Sequence, residues 1–493
     1  MGYKRILLVQ AKYDSIFSNV LPAGIGCLSE LLSSKGIEND VFDLNVRTNT
    51  EQKLREKITN FKPDMVGFSM MSLNYLYNYG VIRRIKKSFP DLKAAAGGAH
   101  VSTVRDEVLK KCDAIDYGVV LEGEETLMEL ISGQKDLHEI KGLIHREDGN
   151  VVYNGDRPFI QDLDSLPYPK YLKFKKKDYM SLVSIFSSRG CPFECIYCPV
   201  KLAIGKRFVA RSPKNVVDEI EYHYRQGHRE FSMRDDNFTL MKERVYEFCD
   251  EIEKRNFKDI YLMCDNGVRA DRLDYNILKR MRQVGFKMLG VGVESGDDKI
   301  LKNLKKSATV KDMEEAIRMA CELDYMVEIF LLIGSPGETW HEFEKSVKLA
   351  MKYPIMTASF YHLLPYPNTE LFDYAKAHGY LLREPEAYLN DGSQRVNTPF
   401  LSTPDFPYEL RKKAFSYAYK TTSRFTRKNR RAYSNKHLYA KLRKMGVGAA
   451  TAAFLAGVYT NAFLYEYVFN NKMLTDIKLS IKKFLSLNKN KAV

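Results

Sequence analysis

Cysteine is scarce, with eight residues in a chain of 493. That is too few for the disulfide framework of a small secreted domain, and a chain this long does not need one. No long apolar leader opens the sequence. Lys4 and Arg5 are followed only by Ile6-Leu-Leu-Val9, too short for a signal h-region and better read as a first buried strand, so a cytoplasmic, reducing location is expected. A downstream C-x2-C or His pair, which a structural zinc site would need, is also missing. Acid is absent from one whole segment. Between Arg411 and Lys444 stand thirteen Lys or Arg and no Asp or Glu, which accounts for most of the net charge of +15. The length exceeds what one core holds, and about three domains are expected.

Over the first 135 residues short apolar runs alternate with amphipathic stretches, the pattern of an α/β doubly wound parallel sheet. Strands are legible at 5–9, 38–43, 65–69, 93–96 and 115–120. In such a sheet the loops after the strands form the binding crevice. These loops include Leu21-Pro-Ala-Gly-Ile-Gly26, Ser69-Met-Met-Ser72, Gly97-Gly-Ala-His100 and Glu122-Gly-Glu-Glu-Thr126. Gly97 and Gly98 would let backbone approach a bulky ligand. Residues 136–175, with Gly149, Gly155 and Leu166-Pro-Tyr-Pro-Lys170, read as a linker carrying a small hairpin.

Cys191, Cys195 and Cys198 form a C-x3-C-x2-C array. Three thiolates on one tight loop can hold three irons of a 4Fe-4S cubane and leave the fourth iron open. Half of a zinc site or a redox thiol set is the alternative reading. Cys27, Cys112, Cys249, Cys264 and Cys321 read as ordinary packed thiols. With the aromatic Tyr197 between its last two cysteines, the array resembles that of the radical S-adenosylmethionine (SAM) superfamily. The resemblance implies that the open iron chelates SAM and that reduction cleaves it to a 5'-deoxyadenosyl radical.

The order of motifs extends the likeness. Pro-x-Gly-x-Gly, Gly-Gly-x-His and Gly-Glu-Glu-Thr segments all precede the cysteine array, an arrangement that resembles the cobalamin-binding radical SAM enzymes. It implies a Rossmann-like cobalamin domain over 1–135, with Gly97, Gly98, His100, Gly123 and Glu124 as cofactor-binding candidates. The Asp-x-His-x-x-Gly motif, whose histidine replaces the lower cobalt ligand in methionine-synthase-type domains, is absent here. Cobalamin is therefore expected without a protein histidine beneath the cobalt.

Residues 176–385 resemble the family's partial (β/α)6 barrel. Strand-end residues of such a barrel face the chemistry. Glu230–Met233 ends in Arg234-Asp-Asp-Asn-Phe238, where Asp235, Asp236 and Asn237 are candidates for SAM or substrate, or else solvated turn residues. Glu294-Ser-Gly296 resembles the segment that binds the ribose and methionine moiety of SAM, since a carboxylate accepts the two hydroxyl hydrogen bonds a ribose offers. Arg269 could pair with a carboxylate of cofactor or substrate. With Tyr197 these complete the cofactor-binding set, and no residue is singled out as catalytic. Leu364-Pro-Tyr-Pro-Asn-Thr-Glu370 carries Asn368 where the family usually has glycine, and Asn tolerates the left-handed backbone such a turn needs.

Residues 386–493 are expected to be mainly helical, basic and then apolar. Met445–Tyr465 holds twenty-one residues without a charged side chain. Its glycines, threonines and Asn461 make it only moderately hydrophobic, so a helix lying on a membrane or lining a pocket is expected ahead of a span or an ordinary packed helix. The basic stretch beside it favours an anionic membrane surface or a lipid-like substrate over nucleic acid, with peripheral contact at the inner face of the membrane. The family resemblance implies a flavodoxin- or ferredoxin-type reductant. It also implies hydrogen abstraction from an unactivated carbon, chiefly to methylate it. Oxidative cyclisation or carbon-carbon bond formation without methyl transfer is one alternative. A non-catalytic cluster- and cobalamin-binding regulator is another, which the complete set of SAM-binding segments speaks against.

Overall fold

The computed structural model describes residues 2–13, 19–391, 398–444 and 447–460. Five strands, β1 (Arg5–Gln10), β2 (Glu38–Asp43), β3 (Met65–Ser69), β4 (Lys93–Gly97) and β5 (Tyr117–Val119), pair in parallel in the order β2-β1-β3-β4-β5. Side chains alternate across a strand. Leu7, Val9, Val66 and Phe68 therefore pack in one apolar layer, and Ile6, Leu8, Met65 and Ala95 in the other. Burial on both faces is why these strands read as nearly continuous apolar runs.

The hairpin expected in the linker belongs to this sheet. β6 (Leu143–Glu147) and β7 (Asn150–Tyr153) turn at Asp148-Gly149, both with positive φ as a tight primed turn requires, and β6 pairs antiparallel with β5. The first sheet thus has seven strands. Wholly buried Leu143 and Ile144 supply the apolar contact that holds the hairpin there.

The second unit comprises β8 (Val183–Ile185), β9 (Ser188–Arg189), β10 (Val209–Ala210), β11 (Glu230–Met233), β12 (Tyr261–Val268), β13 (Phe286–Glu294), β14 (Met326–Ile333) and β15 (Thr357–His362). Six of them form a parallel sheet in the order β15-β14-β13-β12-β11-β8, the strands of a partial (β/α)6 barrel. β9 and β10 make a separate antiparallel pair beside it. Val327, Ile329, Leu331 and Ile333 of β14 are fully buried in the apolar core, while Glu328 and Phe330 alternate onto the other face. Helix Pro213–Arg225 begins as its sequence suggests: Ser212 accepts from the Asn215 amide and Pro213 opens the first turn.

The chain beyond residue 385 is sewn to both units. Tyr388, Leu389 and Phe400 join one layer of the first sheet, and Phe406, Ala414 and Ala418 join the barrel core. Helix Tyr408–Lys444 is anchored by Arg411, 1% exposed, whose guanidinium donates to the carbonyls of Phe406 and Gly334 and to Thr403 Oγ1. A buried guanidinium is tolerated because its donors are met and the Glu338 carboxylate lies nearby. Of the apolar run at 445–465, only 447–460 is described, and it contains helix Ala449–Thr460. Residues 445, 446 and 461–465 lie outside the described residues. Among the described residues, no helix is long and apolar enough to cross a membrane.

Candidate functional site

The cysteine loop follows β9, whose register with β10 sets Arg189 opposite Val209. Gly190 takes φ +82, and a Cβ there would lie 2.2 Å from the Arg207 carbonyl, so only glycine lets the chain enter the loop. The Cys191 amide donates to the Gly205 carbonyl and the Cys198 amide to that of Cys195. Burial raises the Cys191 thiol and pushes that of Cys198 up to about 12, and charge on the neighbouring cysteines adds to both shifts. Burial thus disfavours the thiolates of Cys191 and Cys198, a cost that a bound metal would offset. Among the described residues no three His, Cys, Asp or Glu side chains converge on a single-ion site.

The acidic tip after β11 divides its labour. Asp235, 2% exposed, accepts from the amides of Ser187 (2.6 Å) and Ser188 (3.1 Å) and from the Ser187 hydroxyl, so it fixes the strand that leads into the cysteine loop. Asp236 instead faces a cavity. Burial and then the Asp235 charge push its carboxyl up to about 6, and the Gly190 amide donates to it. Asn237 is fully buried, and neither its amide nitrogen nor its amide oxygen has a hydrogen-bond partner among the described residues.

At the end of β13, Glu294 adopts φ +65 and accepts from the buried Lys306 Nζ at 2.7 Å and from the Tyr197 hydroxyl. Gly292 makes room for this contact, because a Cβ there would come within 2.9 Å of Glu294 Oε1 and 3.0 Å of Lys306 Nζ. Glu294 and Tyr197 are therefore brought together. Ser295 and Gly296 serve the local packing: the Ser295 hydroxyl accepts from the Asp297 amide, and Gly296 lies against the backbone of Lys345 and Ser346. Arg269 donates from Nε to Asp271 and from Nη2 to the carbonyls of Lys306 and Ser307, and its guanidinium lies 3.5 Å over the Phe193 ring inside the cysteine loop. The ring contact ties that loop to the end of β12.

A cavity of about 360 Å³ opens at the carboxyl ends of the first sheet's strands. Its floor is made of small residues, among them Gly24, Gly67, Ala96, Gly97, Gly98 and Gly123, as a flat macrocycle lying against backbone requires. A Cβ on Gly24 would meet nothing within 4 Å, whereas one on Gly98 would lie 2.9 Å from the Met70 carbonyl. Glu124 lines the cavity too, and so does Cys27, which sequence reading took for an ordinary packed thiol. The opposite wall comes from the barrel unit: Phe186, Ser188, Arg189, Arg234 and Asp236.

His100 is not part of this lining. It is buried between helices, with Nε2 2.8 Å from the Tyr79 hydroxyl, Nδ1 3.4 Å from Ser72 Oγ and its ring stacked on Tyr75. Desolvation lowers it to about 3, so it is neutral. Among the described residues, no histidine lines the cavity. The His100→Gln variant is accordingly expected to bind cobalamin as the parent does in an absorbance titration. Its unfolding midpoint should fall by the equivalent of about 1–2 kcal/mol from the disturbed buried hydrogen bonds.

Arg189 and Lys306 carry site contacts and are not among the sequence candidates, whereas Asp236, which is, lies in the cavity wall. For Arg189 the signal is a charge two residues before the cysteine array. The turn at Asn368 follows its expectation, with φ +64, and its side-chain amide donates to the Thr103 carbonyl of the first unit.

A radical SAM superfamily model matches residues 185–350, and a B12 binding domain model matches residues 13–131. An uncharacterized methyltransferase of Pyrococcus horikoshii is 30% identical over 397 residues, covering 78% of this chain and 85% of that one. The anaerobic magnesium-protoporphyrin IX monomethyl ester cyclase of Rubrivivax gelatinosus is 27% identical, covering 75% and 69%. The hopanoid C-3 methylase of Methylococcus capsulatus is 25% identical, covering 73% and 69%. Among solved structures, the cobalamin-dependent SAM radical enzyme OxsB with aqua-cobalamin and SAM bound superposes with a TM-score of 0.73 at 16% identity, covering 98% of this chain and 75% of that one. That last likeness is one of fold.

Proposed function

The chain belongs to the cobalamin-binding radical SAM enzyme family, and on that premise we propose that it methylates an unactivated carbon of a hydrophobic, lipid-like substrate. Its cofactors are a 4Fe-4S cluster, SAM and cobalamin. One observation carries the reading: the small-residue cavity of the first unit is closed by Ser188, Arg189 and Asp236 of the second, next to the cysteine loop. The cavity wall and the cysteine loop are thus neighbours along the chain, Arg189 lining the first and Cys191 opening the second two residues on.

When bound, the reduced cluster with SAM supplies the hydrogen-abstracting species and cobalamin the methyl group. The chain positions them. Cys191, Cys195 and Cys198 offer the thiolates, Asp235 and Arg269 hold the loop that carries them, and Tyr197, Glu294 and Lys306 form the polar floor at the SAM end. Asp236, pushed up to about 6, is an acid in the cavity wall able to take a proton at its carboxylate near neutral pH.

Support for a hydrophobic substrate comes from the likeness to the hopanoid methylase and from the basic helix Tyr408–Lys444, which suits an anionic surface. Loss of flotation on anionic vesicles would remove that last support. A flavodoxin- or ferredoxin-type donor is the expected reductant. A second reading, oxidative cyclisation without methyl transfer, is favoured by the likeness to the magnesium-protoporphyrin ester cyclase.

The test is anaerobic turnover with SAM, reductant, cobalamin and a membrane extract, with 5'-deoxyadenosine and S-adenosylhomocysteine quantified together. Methylation requires both to rise in step and to depend on cobalamin. Deoxyadenosine rising alone would transfer the assignment to cyclisation.

A further inference from the structure

Beside the cavity, the two cofactor-bearing units are joined by a guanidinium. Arg189 ends β9, two residues before Cys191. Its Nη1 donates to Glu122 Oε1 at 2.8 Å and its Nη2 to Glu124 Oε1 at 2.6 Å. Both carboxylates follow β5 in the other unit, Glu122 at the N-cap and Glu124 in the first turn of helix Gly123–Ser132, and their side chains are only 9% exposed. Leu121 immediately before them takes φ +59, a left-handed turn rare for leucine, and Glu122 Oε2 also accepts from the Ile160 amide at 2.7 Å. Arg189, Glu122 and Glu124 all line the cavity. The contact is therefore continuous from the cavity wall, through the guanidinium fork, to the first cluster-ligating cysteine.

We propose that Arg189 is a positioning residue that sets the register of the cobalamin cavity against the cluster loop. The planar fork engages two separate carboxylates at once, which a lysine ammonium, a single point charge, cannot reproduce. Without the fork, the buried pair Glu122 and Glu124 repel each other and the wall relaxes away from the loop. Cobalamin then sits in a loosened wall, and hydrogen abstraction proceeds without matched methyl transfer. The second consequence rests on the methyltransferase reading; the first does not.

The test uses full-length, anaerobically reconstituted Arg189→Lys and, separately, the double variant Glu122→Gln with Glu124→Gln. Iron content confirms an intact cluster, cobalamin affinity is read by absorbance titration, and deoxyadenosine is measured against S-adenosylhomocysteine. With iron content unchanged, both variants should bind cobalamin about tenfold or more weakly. The ratio of deoxyadenosine to S-adenosylhomocysteine should rise severalfold. Parental affinity in either variant overturns the proposal, as does an affinity loss that only follows loss of iron. If the parent itself transfers no methyl group, the affinity measurement still decides the role of Arg189 while the function fails separately.

Discussion

Cys198→Ala leaves protein that holds no stable cluster and forms no 5'-deoxyadenosine above background. With one of three thiolates gone, an iron loses its protein ligand and the cubane keeps only two anchors on the loop. Iron should drop from about four per chain to a small residue, and deoxyadenosine formation by at least roughly a thousandfold, since the uncatalysed reaction supplies nothing measurable. The contrasting variant is Cys249→Ala, a fully buried thiol in the barrel core. It should lose about 1 kcal/mol of stability and keep its iron. Iron analysis and deoxyadenosine quantification on the two proteins side by side make the check. Equal iron in both would remove the three-cysteine site from the account.

The second large effect is on cobalamin. Gly24→Phe places a ring in the cavity from a helix position where a Cβ meets nothing within 4 Å. The helix Ala23–Ser34 gains a better helix former than glycine, so the fold should be unharmed. Overpacking costs about 1–3 kcal/mol, roughly 5–150-fold in affinity, and a whole aromatic ring belongs at the upper end. The variant should retain its iron and its deoxyadenosine formation while losing cobalamin in an absorbance titration. Parental cobalamin affinity in this variant would show that the corrin does not use this wall.

How much of this was legible beforehand depends on range along the chain. The five parallel strands of the first sheet and the barrel strand ends could be read because burial on both faces writes an apolar run into a few consecutive residues. The cysteine array was legible for the same reason, its three ligands lying within eight residues. The hairpin β6–β7 was read as linker because its membership in the sheet depends on β5, more than twenty residues earlier. Arg189 and its carboxylates are separated by some sixty-five positions, and no local pattern pairs them. His100 failed in the opposite direction. Its Gly-Gly-x-His setting pointed to a ligand site, yet helix geometry turns the ring into the layer formed by Tyr75 and Tyr79. Arg269 engages Nε with Asp271 and Nη2 with the carbonyls of Lys306 and Ser307, partners some thirty-seven positions away that only the folded chain displays.

The central claim is that one chain holds a SAM-accepting cluster and cobalamin together. Metal analysis with electron paramagnetic resonance on a single anaerobically reconstituted sample tests it most directly. The account predicts about four irons and about one cobalt per chain. It also predicts that the reduced-cluster signal changes when SAM is added. A full complement of iron with a signal indifferent to SAM, or no retained cobalt, would contradict it.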